Sequence, residues 1–419
     1  MKGKPQTKRR IDLLILDSKE TITLAHSTKD DLGIIDGGGV AIDGGRIVDA
    51  ASSQLLERKY SASRQLLATD EIILPGFVDP HTHLIFQGSR EEEFQQRLGG
   101  ASYLDVLRKG GGIMETVNKT RQTTQSELLS IAQNRLNSMI EAGTTTLEIK
   151  SGYGLDMEGE LKILRVIRQL RRQSPCQVAS TFLGAHAVPV GMTPEDYTRT
   201  VIGEMIPTVH KQKLAEFCDV FCEDGVFNPE LSKRILRVGT SHGLRPKIHA
   251  DQFTDGQGAR IANDVGATSA DHLVHSNLGQ LERMTKTSVV PVLLPASSHS
   301  LLSTDHAPVT EMLSMDLPVA LGTDFSPSNW ILGQLTVAAM AARGLRMKAT
   351  DIIRGITINA ARALHLQDSV GSIRNGKRAD IVTLKVPSHK WIGYTYGEGI
   401  IDKVLIEGRE VVTEGKRVH

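Results

Sequence analysis

Only three cysteines, Cys176, Cys218 and Cys222, occur in 419 residues. An odd, low count excludes a disulfide framework and points to a reducing cytoplasm. Cys218 and Cys222 stand four apart in the strand-like "CDVFCEDG", where buried thiols are expected rather than a metal pair. Net charge is nearly absent as well: 49 Lys and Arg against 48 Asp and Glu leave +1. That balance excludes a strong overall field drawing nucleic acid or an anionic membrane. No run approaches the roughly 18 apolar residues needed to span a bilayer. The opening "MKGKPQTKRR" is basic but lacks the apolar segment of a signal peptide, and reads as a frayed tail. Apolar residues make up 40% of the chain, ample for a buried interior.

What is present is a rhythm. Eight short apolar runs end in polar residues: "EIILPGFVDPHTH", "TTTLEIKSG", "QVASTFLGAH", "CDVFCEDG", "RPKIHAD", "TSADHLVH", "SVVPVLLPASS" and "PVALGTD". Amphipathic segments such as "QSELLSIAQNRLNSMIEAG", with its stop at Gly143, separate them at helical spacing. Apolar strands alternating with helices imply a parallel sheet covered on both faces. Eight units predict an α/β fold, a (β/α)8 TIM-like barrel over residues 75–365. The ends differ: "IDLLILDSKETITL", "GGGVAIDGGRIVDA", "GKRADIVTLKV" and "IIDKVLIEGREVV" are β-rich with turn signals. Residues 1–74 and 366–419 are therefore expected to form one small sheet domain made from both termini.

Chemistry in such a barrel sits at the C-terminal ends of the strands. There the sequence places His81 and His83, Lys150, His186, Glu223 and Asp224, His249, His272 and Asp324. Five of the 14 histidines fall at these ends. Side chains two apart on a strand point the same way, so His81 and His83 project together. His249 and Asp324 are the best placed to complete a metal site with them. Imidazole and carboxylate donors suit zinc, and also iron or manganese. A bound metal lowers the pKa of water toward neutrality. His272 is then a spare imidazole to take or orient that water's proton, with a further ligand as its other reading. Lys150 is expected in an ion pair rather than bridging two metals, and Glu223 and Asp224 as partners of the site rather than ligands.

"PGFVDPHTH", with histidines on strands 5 and 6 and an aspartate on strand 8, resembles the amidohydrolase superfamily. Within it, "GFVDPHTHLIFQGSR", "GGGIMETVNKTR", "EAGTTTLEIKSGYGLD", "TFLGAHAVP", "KIHADQF", "ADHL" and "GTDFSP" are most similar to the imidazolonepropionase family, over nearly the whole chain. The resemblance implies a barrel with a β-sandwich from both termini and one divalent or trivalent metal ion, zinc or iron. It implies His81, His83, His249 and Asp324 as ligands, and His272, Asp324 and Gln252 as catalytic groups. Arg90, Tyr103, Tyr153, His186 and Gln252 match its substrate-binding residues. After the strand-8 aspartate the family usually reads Asn-Pro-Gly-Ser or Thr. Here "DFSPSNW" puts Ser326, Ser328 and Asn329 at substrate-contacting positions; Ser326 has a shorter arm, and losing the glycine restricts the backbone.

The implied reaction is hydrolysis of the ring C–N bond of 4-imidazolone-5-propanoate to N-formimidoyl-L-glutamate by a metal-activated water, in histidine degradation. Arg90 suits the propionate, with an ion pair to Glu91–Glu93 as its other reading. Three rivals stand beside it: a related cyclic-amide hydrolase, a purine or pyrimidine deaminase on the same scaffold, and a metal-binding scaffold protein. Deaminases usually carry Glu where this chain has Gln252. The partners expected are a small-molecule substrate and a second copy in a homodimer, with no nucleic acid and no membrane, in the cytoplasm.

Overall fold

The computed structural model describes residues 8–25, 31–100 and 112–418. By their internal contacts they divide into two compact units: Met1–Val78 with Met139–Thr146 and Gly333–His419, and Asp79–Ser138 with Leu147–Leu332.

The eight runs all contain a strand: β1 (Phe77–Asp79), β2 (Thr144–Lys150), β3 (Gln177–Ala185), β4 (Phe217–Cys222), β5 (Arg245–Ala250), β6 (Ser269–His272), β7 (Val290–Leu293) and β8 (Ala320–Leu321). They follow one another in sequence order around one sheet, and consecutive strands from β3 to β8 pair in parallel. Beyond the last strand the circle closes: Asp324 N–H donates to His81 O at 3.0 Å and His83 N–H donates to Phe325 O at 2.8 Å. The Asp79 carboxylate accepts from Thr323 N–H at 3.1 Å and from its hydroxyl at 2.6 Å, which fixes the same seam. The expected α/β barrel is therefore present.

The first run differs in detail from the expectation. Ile72–Pro75 pairs antiparallel with Ile381–Leu384, outside the barrel, and only Phe77–Asp79 enters it. Pro75 and Gly76 stand at the break; proline cannot donate to a ladder and glycine eases a bend. One apolar stretch thus serves two sheets.

The segments from both termini form two sheets. One has four strands, Arg46–Ser52, Gly38–Asp43, Arg9–Leu16 and Tyr60–Leu67 in that order. The other has seven and includes Ile72–Pro75, Ile381–Leu384 and Ile401–Ile406. Leu13, Ile15 and Val40 of the first share one buried cluster with Ile73, Ile381 and Leu405 of the second, as the alternate-residue packing of a β-sandwich requires.

Helices carry the start and stop chemistry expected. In Met157–Gln173 the Asp156 carboxylate accepts from Gly159 N–H at 2.7 Å, while Arg171 and Arg172 face the C-terminal end of the dipole. Gln125–Glu141 ends just before Gly143, whose φ is +89°. Among the described residues no helix is long and apolar enough to cross a membrane.

Candidate metal centre

His81 and His83 follow β1 on the short segment that closes the barrel, and His249 is the penultimate residue of β5. One ligating atom from each of the three lies within 4.8 Å of the others. The Nε2 atoms of His81 and His83 are 3.3 Å apart, and Asp324 Oδ1 lies 3.5 and 3.6 Å from them. Four donors from three places in the chain thus converge. His249 Nε2 is buried without a hydrogen-bond partner, a costly arrangement for a nitrogen with nothing to bind. Three imidazoles and one carboxylate fit a zinc- or iron-type ion, so the residues present suit the group the fold calls for.

The imidazoles are held from behind. His81 Nδ1 lies 2.6 Å from Asp271 Oδ2, and His249 Nδ1 lies 3.1 Å from Asp219 Oδ2. At His81 the carboxylate hydrogen-bonds Nδ1, which leaves the Nε2 lone pair for a metal and fixes the ring's direction; at His249 the carboxylate stands behind Nδ1 at ion-pair distance. Burial, with Lys150 and the neighbouring imidazoles behind it, pushes the pKa of His81 well down, and burial does the same for His83 and His272. These rings are therefore neutral at neutral pH, the form that ligates. Burial lifts the Asp324 carboxyl to about 7 against the opposing hydroxyl of Ser297. Asp324 (φ +51°) and His272 (φ +76°) both occupy the left-handed backbone region. Strain of that kind persists where the surroundings over-determine a functional geometry.

Below the imidazoles lies a charge cluster: Glu148, Lys150, Asp219, Lys247 and Asp271, all fully buried. Lys150 Nζ is 2.7 Å from Asp219 Oδ2, 2.9 Å from Glu148 Oε2 and 3.4 Å from Asp271 Oδ2. Lys247 Nζ is 2.8 Å from Glu148 Oε1 and donates to Pro80 O at 3.0 Å. Burial alone would lower the Lys150 pKa; its three carboxylates outweigh that and raise it, so the ammonium stays charged. His81, Glu148 and Asp271 form a second set of atoms with ligand spacing. The chain's own ammonium contacts both of its carboxylates.

A cavity opens on the converging donors. His83, His249, His272 and Asp324 line it, together with Arg90, Tyr153, His186, Gln252, Ser326 and Ser328. The matched family model is described as the amidohydrolase family and covers residues 242–411. Much of the chain is similar to curated imidazolonepropionases. That of Geobacillus kaustophilus is 40% identical, over 98% of this chain and 98% of its own length. That of Alkaliphilus metalliredigens is 38% identical over 97% and 99%. The chain belongs to the imidazolonepropionase family. Solved structures agree on the fold. A zinc-bound adenosine deaminase from Xanthomonas campestris superposes with a TM-score of 0.74 at 17% identity, covering 98% of this chain and 95% of that one. A mutant atrazine chlorohydrolase from Arthrobacter aurescens, complexed with zinc and atraton, gives 0.71 at 18%, over 97% and 96%. Metal dependence is thus a property of this imidazolonepropionase-family chain's fold relatives, and its own histidines supply the matching donors.

Most of the family's expected contact positions face this cavity. Arg90 lines it, and its Nε donates to Thr116 Oγ1 at 3.1 Å. His186 stacks on His83, with ring centres 4.9 Å apart and planes 11° apart. Its Nδ1 lies 3.1 Å from Gly152 O, and burial pulls its pKa down to about 3. The ring is neutral, so Nδ1–H donates to the carbonyl and Nε2 is left as an acceptor. Glu223 is not among the convergent donors; it accepts from Phe253 N–H at 2.9 Å and from the Thr254 hydroxyl, steadying the loop that carries Gln252. Asn329 does not line the cavity. Its amide donates to Thr323 O at 2.7 Å and Asp324 O at 3.1 Å, and its carbonyl accepts from Ser300 at 3.0 Å. Those bonds hold the turn beneath Asp324. Tyr103 lies outside the described residues. The three cysteines form no disulfide and are buried, none belongs to either ligand set, and burial pushes the Cys222 thiol up to about 12.

Sequence reasoning missed Glu148, Asp219, Lys247, Asp271 and Ser297. The signal was present for two of them: Lys247 is two residues from His249 and Glu148 two from Lys150, hence on the same inward face of β5 and β2.

Gly152 has φ +110°, and a Cβ there would stand 2.8 Å from His186 Nδ1. Gly152→Ala is therefore expected to cost about 1–3 kcal/mol of stability and to raise KM by displacing His186 from its carbonyl. Denaturant unfolding and steady-state kinetics check both; an unchanged midpoint with an unchanged KM would contradict the account.

Proposed function

We propose that the chain hydrolyses the ring C–N bond of 4-imidazolone-5-propanoate to N-formimidoyl-L-glutamate, a step of histidine degradation. The observation carrying this reading is that His83, His249 and Asp324, converging with the buried His81, open onto the same cavity as Arg90, Tyr153 and His186. The relatives' name supplies the substrate.

His81, His83, His249 and Asp324 would hold the ion, zinc or iron. When bound, such an ion acidifies water and polarises a carbonyl. The remaining work belongs to side chains. Arg90, its Nε anchored on Thr116, offers its terminal nitrogens to the propionate, a geometry guanidinium matches bidentately. His186 Nε2, an acceptor, suits a ring N–H rather than an oxyanion. Tyr153 offers a hydroxyl to the oxygen on which charge develops. Asp324 or His272, both lining the cavity, takes the proton released from water. One of them returns it to the departing ring nitrogen, and the Gln252 amide orients polar groups without exchanging protons. Both ring nitrogens stay in the formimidoyl product, so no ammonia leaves.

The test supplies purified protein with imidazolonepropionate, guanine and cytosine separately and follows ring absorbance and ammonia. Loss of imidazolone absorbance without ammonia is expected. Ammonia from either base, with imidazolonepropionate untouched, would replace this reading with a deaminase.

A further inference from the structure

Two of the proposed ligand histidines lean on carboxylates, and both carboxylates lean on one cation. Asp219 Oδ2, the atom facing His249 Nδ1 at 3.1 Å, is also the atom 2.7 Å from Lys150 Nζ. Asp271 Oδ2, 2.6 Å from His81 Nδ1, is also the atom 3.4 Å from that same Nζ. Lys150 ends β2, Asp219 lies in β4, His249 in β5 and Asp271 in β6, while His81 follows β1. One ammonium therefore joins side chains carried by five of the barrel's eight strands or the segments that follow them.

We infer that Lys150 is a positioning residue for the metal centre: by gripping Asp219 Oδ2 and Asp271 Oδ2 together, it aims His249 and His81 at a common point. The inference rests on the reading that these histidines hold a metal. The physics is direct. Two carboxylates in a protein interior repel, and each is free to turn about its last bond. An ammonium between them removes the repulsion and selects which oxygen faces inward. Each selected oxygen then fixes one imidazole's tautomer and tilt. Loss of such a supporting contact usually weakens metal binding by about 10- to 100-fold. Lys150 supports two ligands at once, whereas an Asp supports one. Its third carboxylate, Glu148 at 2.9 Å, anchors the ammonium from below.

The test is competition for zinc between the protein and a chromophoric chelator, with thermal melting measured in parallel. Wild type is compared with Lys150→Met and with Ile163→Ala, a cavity in the buried face of the Met157–Gln173 helix, outside the cluster. Both variants should melt earlier. Only Lys150→Met should bind zinc more weakly, by about 10- to 100-fold. Wild-type zinc affinity in folded Lys150→Met would overturn the inference alone. Equal weakening in Ile163→Ala would also overturn it, since loss of stability would then explain the effect. Failure of wild type to bind zinc would overturn the metal-site reading and the inference with it. Should Lys150→Met not fold, the Asp219→Asn and Asp271→Asn variants and their double decide. Through a shared ammonium, the double should lose less affinity than the product of the single losses; losses that simply multiply would reject the bridge.

Discussion

His272→Ala should lower kcat by about 100- to 10,000-fold while the protein keeps its fold and its metal. Asp324→Asn should lose turnover on the same scale. His272 lines the cavity, is 3% exposed, and is held neutral by burial. Its ring centre lies 5.3 Å from that of His249 and 5.5 Å from that of His81, beside the converging nitrogens. A neutral imidazole there can take a proton; an alanine cannot. The two substitutions separate by a second readout. Asp324 Oδ1 faces the Nε2 atoms of His81 and His83, so Asp324→Asn should also weaken metal retention. His272→Ala should not, if His272 handles protons rather than ligating. Metal content per chain, melting temperature and kcat together decide. Near-normal kcat in His272→Ala with full metal would remove the proton role; kcat lost in step with metal would make His272 a ligand.

How far such roles were readable from sequence depends on where each residue sits on its strand. The convergent imidazoles and carboxylate were legible because barrel strands expose their C-terminal ends, and a histidine after an apolar run is visible as a break in that run. "HTH" adds the period of two. Below that rim, legibility falls. Asp219 and Asp271 are single charges within "CDVFC" and "SADH", and nothing local says whether such a charge faces the barrel interior or its helices. Only closure of the sheet decides, bringing Asp219 and Asp271 to the one ammonium of Lys150. The barrel was legible from the count of runs. The split of the first run at Pro75 and Gly76 was not read, although proline beside glycine is a break signal. Asn329 shows a different limit. Its place after the strand-8 aspartate suggested contact with substrate, yet three bonds to Thr323, Asp324 and Ser300 occupy its amide. A loop's register positions do not reveal which side chains its own turn consumes.

Arg90→Ala should lower kcat/KM for imidazolonepropionate by about 10- to 150-fold, the worth of one hydrogen-bonded charge contact expressed in the transition state. Arg90 lines the cavity that holds His83, His249 and Asp324. Its backbone N–H donates to Pro327 O at 3.2 Å, which ties it to the loop carrying Ser326 and Ser328. The guanidinium is thus placed by two partners, Pro327 through the backbone and Thr116 through Nε. Neither contact uses the two terminal nitrogens that match a carboxylate. The alternative role, a pair with the acidic Glu91–Glu93 run, makes a different forecast. In that case Arg90→Ala would alter stability slightly and treat all substrates alike. Anchoring of the propionate instead predicts selectivity: the variant should lose far more activity toward imidazolonepropionate than toward a neutral imidazolone lacking the arm. Arg90→Lys keeps the charge but loses the planar fork, and should recover only part of the loss. The ratio of kcat/KM values for the two substrates, measured in wild type and both variants, is the deciding quantity. A ratio unchanged by Arg90→Ala would move the propionate to another group in the cavity.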